Sequence, residues 1–368
     1  MKPIGLYIHI PFCKGKCPYC DFYSVTPHGS VIEDYTAEVC RRLSAETRIF
    51  DTVYFGGGTP SLLGAENICR ILGSVNAADG CEMTLECNPS DTGGRDSNFD
   101  FKAVADAGID RISMGLQSSS DSERRFLGRR AGADDAERAV ERANAAGIDN
   151  ISLDLMLGLA GQSTESVGRS IEFCRRLGAK HLSAYLLKLE QGTPLYTRRN
   201  ELHLPDEDET AELYLFTASE AAKNGFLQYE ISNFSLPGYE SRHNLKYWRC
   251  EEYLGVGAAA HSFVGGKRFY NERSIADFLE GKPPINDGDG GDEEEFVMLA
   301  LRLTEGLSGE RFAERYGHML PREFDKKAAF FASKGLMTVC GERYSLTPQG
   351  FLLSNSIIFE LIDTLEAE

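Results

Sequence analysis

Three cysteines, Cys13, Cys17 and Cys20, stand at the spacing C-x3-C-x2-C. Thiolates this crowded are ligands for a soft metal centre. Four thiolates would close a [4Fe–4S] cluster, whereas three leave one iron open to an outside ligand. On spacing alone two other chemistries stay open: Cys17-Pro18-Tyr19-Cys20 has the form of a dithiol redox site, and Cys13 with His9 or His28 could complete a structural zinc site. A second feature is Gly56-Gly57-Gly58 ahead of Thr59-Pro60. Glycines let a ligand approach the backbone, and an ordinary strand-to-helix turn is the competing reading. Glu86, Gln117 and Asp154 each fall in or at the end of an apolar run, where a polar side chain either faces solvent or joins a common site.

The elements that must position these residues follow from periodicity. Strand-like runs occur at 4–10, 52–55, 83–87, 111–116, 151–157 and 181–187, with helical spacing between them at 31–47, 66–75, 99–107, 133–146 and 165–177. Such alternation predicts βαβ units and a parallel sheet, either a partial barrel or doubly wound, whose active face is the carboxyl ends of the strands. The cysteines and the glycines both follow strands, so both belong on that face. Beyond residue 200 the pattern changes. Residues 206–223 read as one helix, and 229–263 are rich in Gly, Ala and aromatics. The run 282–295, with Pro-Pro and then Asn-Asp-Gly-Asp-Gly-Gly-Asp-Glu-Glu-Glu, reads as a solvated linker. We therefore expect one unit over 1–285 and a second over 296–368, in which helices near 296–303, 308–316 and 324–334 precede strands at 337–340 and 344–346, a winged-helix-like order.

Composition limits the function classes. The chain has 368 residues, 39 Lys+Arg against 56 Asp+Glu and a net charge of −17, which argues against binding to a nucleic-acid backbone. Hydrophobic residues at 42% place it among folded globular chains. No apolar run reaches the roughly 20 residues of a membrane span. The first dozen residues lack the pattern of a signal peptide, so a cytoplasmic location with reduced thiols is expected.

The segment Tyr7-Ile-His-Ile-Pro-Phe-Cys13-Lys-Gly-Lys-Cys17-Pro-Tyr-Cys20-Asp-Phe22 closely resembles the cluster loop of radical S-adenosylmethionine proteins, and among them the oxygen-independent coproporphyrinogen III oxidase family. The resemblance covers nearly the whole chain. It implies a partial (β/α)6 barrel followed by the small helical module, a [4Fe–4S] cluster on Cys13, Cys17 and Cys20, and S-adenosylmethionine bound through its amine and carboxylate to the fourth iron. It further implies cofactor contacts from Tyr7, Tyr19, Gly57, Gly58, Thr59, Glu86, Gln117, Arg129 and Asp154. Ala160 departs from the family's usual Gly-Leu-Pro, a change that relaxes a turn without removing a ligand.

Two further departures concern activity. Oxidases of the family generally carry another cysteine where this chain has Phe22, and several dozen residues ahead of the cluster strand, whereas Tyr7 here is almost at the terminus. Both resemble the HemW-type haem chaperones, and so does His243-Asn244-Leu-Lys-Tyr247-Trp248, a signature that implies a haem ligand with an aromatic wall. His261, in Gly255-Val-Gly-Ala-Ala-Ala-His261, is a second candidate for the iron. The function expected is therefore haem binding and transfer to an acceptor protein, with a reductant serving the cluster. The alternative is a radical tetrapyrrole-modifying enzyme.

Overall fold

The computed structural model describes residues 2–365. Twelve strands form one open sheet: β1 (Ile4–Ile10), β2 (Phe50–Gly57), β3 (Ala77–Cys87), β4 (Arg111–Gln117), β5 (Asn150–Leu157), β6 (His181–Leu186), β7 (Leu227–Glu230), β8 (Asn233–Ser235), β9 (Tyr253–Val256), β10 (His261–Val264), β11 (Lys267–Tyr270) and β12 (Ile285–Asp289). Their order is β12-β11-β10-β9-β1-β2-β3-β4-β5-β6-β8-β7. β1 to β6 are parallel to their neighbours in chain order, and the helices between them supply the crossovers. This is the expected partial barrel, with edges at β12 and β7 that do not meet.

The two faces differ in chemistry because side chains alternate along each strand. Leu6, Ile8, Ile10, Val53, Phe55, Leu85, Ile112 and Leu153 are fully buried and belong to one core cluster with Val39 and Ile68 of the helices Val31–Ser44 and Gly64–Leu72. The opposite parity gives the concave face a polar lining: Thr52, Tyr54, Thr84, Glu86, Arg111, Ser113, Asp154 and Ser183. Burying so many polar groups is costly unless they meet partners or a ligand.

Strands β7 to β12 are the main difference from the sequence expectation. β9 extends the parallel sheet beside β1, β10 and β11 turn back antiparallel, and β8 pairs antiparallel with β6. The run read as a solvated linker contains β12, which pairs antiparallel with β11, and then the helix Glu293–Ala300 capped by Asp292. All five residues of β12 are exposed, so no apolar alternation marks it, and an edge strand is held by its backbone ladder instead.

After this, the helices Gly309–Tyr316 and Arg322–Ser333 pack with a small sheet of β13 (Leu307–Ser308), β14 (Met337–Cys340) and β15 (Arg343–Leu346). Its core, around Phe312, Phe324, Phe331 and Leu361, also takes in Tyr214, Cys250 and Phe263 from the first part of the chain.

Candidate functional site

The chain leaves β1 at Ile10 and enters the loop with Cys13, Cys17 and Cys20, all free and half-buried. Backbone bonds close that loop on itself: Cys13 N–H donates to the Val25 carbonyl at 3.0 Å and Val25 N–H to the Pro11 carbonyl at 2.8 Å. His9 Nε2 donates to the Tyr23 carbonyl at 3.2 Å, so its Nδ1 accepts from the Tyr7 hydroxyl at 3.1 Å. Burial pulls the His9 pKa down to about 4, which keeps the ring neutral as this pattern requires. With both nitrogens engaged, His9 is not free to complete a zinc site.

Gly57 and Gly58 seat the end of β1 and the start of this loop, while Gly56 makes room for the Tyr7 and Tyr54 rings. Gly58 N–H donates to the Ile10 carbonyl at 2.8 Å and Thr59 N–H to the Phe12 carbonyl at 2.7 Å. A Cβ on Gly58 would lie 2.6 Å from the Phe12 oxygen, and one on Gly57 would lie 2.5 Å from the His9 ring, at a φ of +109°. The close approach expected for a ligand is thus made first by the protein's own cysteine loop. The Thr59 hydroxyl then stands 3.4 Å from Cys13 Sγ.

Beside the loop opens a cleft of about 470 Å³, lined by Cys13, Cys17, Tyr19, Cys20, Gly57, Gly58, Thr59, Glu86, Gln117, Arg129 and Asp154. Glu86 accepts from the Tyr54 hydroxyl at 2.8 Å and from Gly57 N–H at 3.2 Å, and burial, helped by the Asp154 charge, pushes its pKa up to about 7. Asp154 accepts from Ser113 at 3.3 Å and is pushed up by burial to about 6. Arg129 reaches over β4 to the Gly115 carbonyl and lies 3.8 Å from Cys17 Sγ. A Cβ at 115 would meet the Arg129 guanidinium at 2.8 Å and the Gln117 amide at 2.7 Å, so the missing side chain leaves these two ends room over β4. Gln117 itself has a φ of +68°, beside a register shift between β4 and β5.

Two sequence-predicted residues stand elsewhere. Tyr7 is not in the cleft wall but a row behind it, its ring stacked 6.2 Å from that of Tyr54. His243 is 1% exposed, beneath the cleft. Its Nδ1 pairs with Thr52 Oγ1 and its Nε2 with the Tyr247 hydroxyl, both at 2.8 Å, and burial pulls its pKa down to about 3. In this arrangement both imidazole nitrogens are engaged, so an iron would have to displace Thr52 or Tyr247 to be bound there. The helix Arg242–Trp248 closes the underside of the half-barrel, its first two N–H groups donating to the Glu82 carboxylate at 3.1 Å. Asn244 of that helix lines the cleft, while Trp248 lines a separate cavity of about 440 Å³ against Phe296 and Arg315, so the two aromatics of the segment do not form one wall. His261 is exposed, at the start of β10, and stacks on Tyr270 at 5.2 Å.

Sequence reasoning missed Tyr54, Arg111, Ser113, Ser183 and Tyr185, all of which line the cleft. The signal was strand parity: Arg111 and Ser113 share a face with Gly115 and, past the bulge, with Gln117. Exposed apolar side chains stand at the mouth, Phe22 at 62% with Tyr185 and Leu186, beside the exposed charges of Lys16, Asp21 and Lys188.

Three thiols set around one mouth, rather than converging on a point, suit a cluster in which each thiolate meets its own iron. Among the described residues no three His, Cys, Asp or Glu groups converge as a single ion demands. A half-barrel with a three-thiol loop after its first strand and polar strand ends facing it defines a radical S-adenosylmethionine protein, and residues 7–174 match the Radical SAM superfamily model. Residues 293–353 match the HemN C-terminal domain. The chain belongs to the HemW family: it is 36% identical to the haem chaperone HemW of Bacillus subtilis, over 95% of this chain and 97% of that protein. It is 35% identical to HemW of Escherichia coli, over 97% of this chain and 98% of that one. In fold it is similar to coproporphyrinogen III oxidase (HemN) from Escherichia coli, with a TM-score of 0.82 over 98% of this chain and 90% of that one at 19% identity. Among the described residues no helix is long and apolar enough to cross a membrane.

Proposed function

We propose that the chain is a haem chaperone that binds haem and passes it to an acceptor protein, carrying a [4Fe–4S] cluster on Cys13, Cys17 and Cys20 with S-adenosylmethionine in the adjoining cleft. The observation that carries this reading is the full-length similarity to proteins named haem chaperone HemW. Phe22 adds to it, since the related oxidases generally have a cysteine there. When bound, the cluster and S-adenosylmethionine supply an electron and a cleavable sulfonium.

The chain's residues hold and orient these groups. Thr59 and Arg129 stand beside Cys13 and Cys17, where a hydroxyl and a guanidinium temper thiolate charge. Glu86, Gln117 and Asp154 offer acceptors for an ammonium and for ribose hydroxyls. The raised pKa values of Glu86 and Asp154 leave both able to take a proton near neutrality, and an incoming ammonium would favour their ionised forms. Tyr7 and the His243 helix act from behind the wall, Tyr7 by packing on Tyr54 and the helix by holding Asn244 at the floor. For haem iron, His261 presents its ring at the cysteine-loop end of the sheet, whereas His243 does not. The site lies wholly within the first of the two units, which we divide after β12. A cytoplasmic setting keeps the cluster thiols reduced, and the reductant and acceptor are protein partners outside this chain.

The test is anaerobic reconstitution followed by three assays on one sample: haem binding by the Soret band, transfer to a haem-depleted acceptor, and turnover of coproporphyrinogen III. Haem binding and transfer without turnover is the expected result. Conversion of coproporphyrinogen III to protoporphyrinogen IX would replace the chaperone with an oxidase.

A further inference from the structure

On a chain of net charge −17, one side of the cysteine loop carries the opposite sign. A hollow of about 130 Å³ adjoins the cleft there, and its lining holds Lys14, Lys16, Arg129 and Arg130 against one carboxylate, Asp91. Lys14 already neutralises that carboxylate at 2.6 Å, and Arg129 turns inward to Gly115 and Cys17. Lys16 and Arg130 are left exposed, with no ion pair among the described residues. The Arg130 guanidinium lies over the loop itself, 3.7 Å from where a Cβ on Gly15 would stand. Cys17 lines the hollow as well as the cleft, so one thiol of the cluster loop faces both. Among the described residues no large apolar side chain lines the hollow, in contrast to the mouth with Phe22, Tyr185 and Leu186.

Small-molecule sites begin at roughly 300 Å³, so this hollow is a surface to be covered rather than a pocket to be filled. We propose that it is the docking face for the reductant, and that this partner is a one-electron carrier protein with an acidic face around its redox centre. The assignment rests on the cluster reading given above. Charge selects the partner: the net field of an acidic chain repels another acidic protein, while Lys16 and Arg130 attract it locally and orient it. Position selects its chemistry, because Cys17 brings the cluster site to the wall of the hollow. Redox encounters use small, transient contacts, which suits a shallow polar surface with no apolar anchor. The carrier loses one electron and the cluster gains it, with no bond made or broken.

The test follows reduction of the reconstituted cluster by stopped-flow absorbance, with reduced plant-type ferredoxin as the acidic carrier and methyl viologen radical as a small cationic reductant. At about 0.01 M salt Arg130→Glu should accept electrons from ferredoxin about tenfold more slowly than wild type, and adding Lys16→Gln should slow it further. The gap should close near 1 M salt, where screening acts within about 3 Å. Calorimetry should show the same loss in ferredoxin affinity, while reduction by methyl viologen should not slow. Lys334→Glu, at the end of the helix Arg322–Ser333, changes the net charge equally and should behave as wild type. Equal slowing in Lys334→Glu would reduce the effect to net charge, and slowing with methyl viologen would make Lys16 and Arg130 tuners of the cluster; either result overturns the docking face. So does a wild-type ferredoxin rate that does not fall with salt. If the variants slow only haem transfer to the acceptor, the hollow belongs to the acceptor and the proposal falls. Should the variants assemble no cluster, wild type decides: short polyglutamate must slow ferredoxin but not methyl viologen. A wild type that holds no iron after reconstitution removes the cluster reading itself, a result read before any carrier is added.

Discussion

At the residue scale, chemistry depends on which atoms are left free, and histidine shows this most clearly. His243 sits in the segment that resembles a haem signature, yet Thr52 and Tyr247 take both its nitrogens, and a linear motif has no way to report that. Its pKa near 3 has a consequence for stability. The unfolded chain's histidine gains a proton below about pH 6.5 while the folded one stays neutral, so its contribution is lost as pH falls, by up to about 1.4 kcal/mol per unit. His243→Asn should therefore lower stability at pH 7 through lost hydrogen bonds, yet show a smaller further decline between pH 7 and pH 5 than wild type in urea titrations of the apoprotein. Parallel declines would mean that the ring is not held neutral. In the haem assay the same variant should keep the Soret position, while His261→Ala shifts it; the reverse result would return the iron to His243. Serine at Cys13, Cys17 or Cys20 should each abolish cluster assembly by iron and sulfide analysis. Serine at Cys40, Cys69, Cys174 or Cys340, which do not line the cleft, should leave it intact. A requirement for any of those four would close the site with a fourth thiolate.

At the scale of elements, the parallel strands were legible because each is a short apolar run between helical patterns. β1 spans Ile4–Ile10 as read, and the others differ mainly at their ends. The strands between residues 227 and 289 were not legible, since they are short, rich in glycine, or wholly exposed like β12, whereas β14 and β15 lie where the sequence placed them. Of the site, the thiols and strand-end residues were readable from spacing and resemblance. Arg111 was not, because a charged residue opening a strand looks like surface until the sheet curves around it. The triple glycine was noticed, but its cause lies in contacts between elements. Gly58→Ala should lose the cluster, because its Cβ meets backbone oxygens of the cysteine loop at 2.6 and 2.9 Å and neither can yield without moving that loop. Gly161→Ala is the control: its φ is +71° with nothing within 4 Å, so it should cost about 1 kcal/mol and keep the cluster. Equal iron content in both variants would show that loop seating is not what the glycines provide.

At the scale of the whole molecule, the question is whether the C-terminal unit is an appendage or a structural part of the half-barrel. A separable domain would have a core closed on itself. Here the second core includes Phe263 of β10, Tyr214 of the helix Glu207–Lys223 and Cys250, just past the helix that carries His243. Arg249 adds an ion pair to Glu305 at 2.9 Å, and Ile231 N–H donates to the Arg302 carbonyl at 2.9 Å. The C-terminal unit therefore backs the strands and helix that close the underside of the cleft. Phe263→Ala removes a ring buried between the two parts and should destabilise by roughly 3–5 kcal/mol, with a cost that depends on how far the site collapses. Coupled cores should unfold together, so calorimetry of the wild type and of this variant should each show one transition, the second at lower temperature. Cluster content of the folded variant should be unchanged, because no cleft residue is touched. Two separated transitions, with only one displaced by the substitution, would show that the units are energetically independent and that the second merely rides on the first.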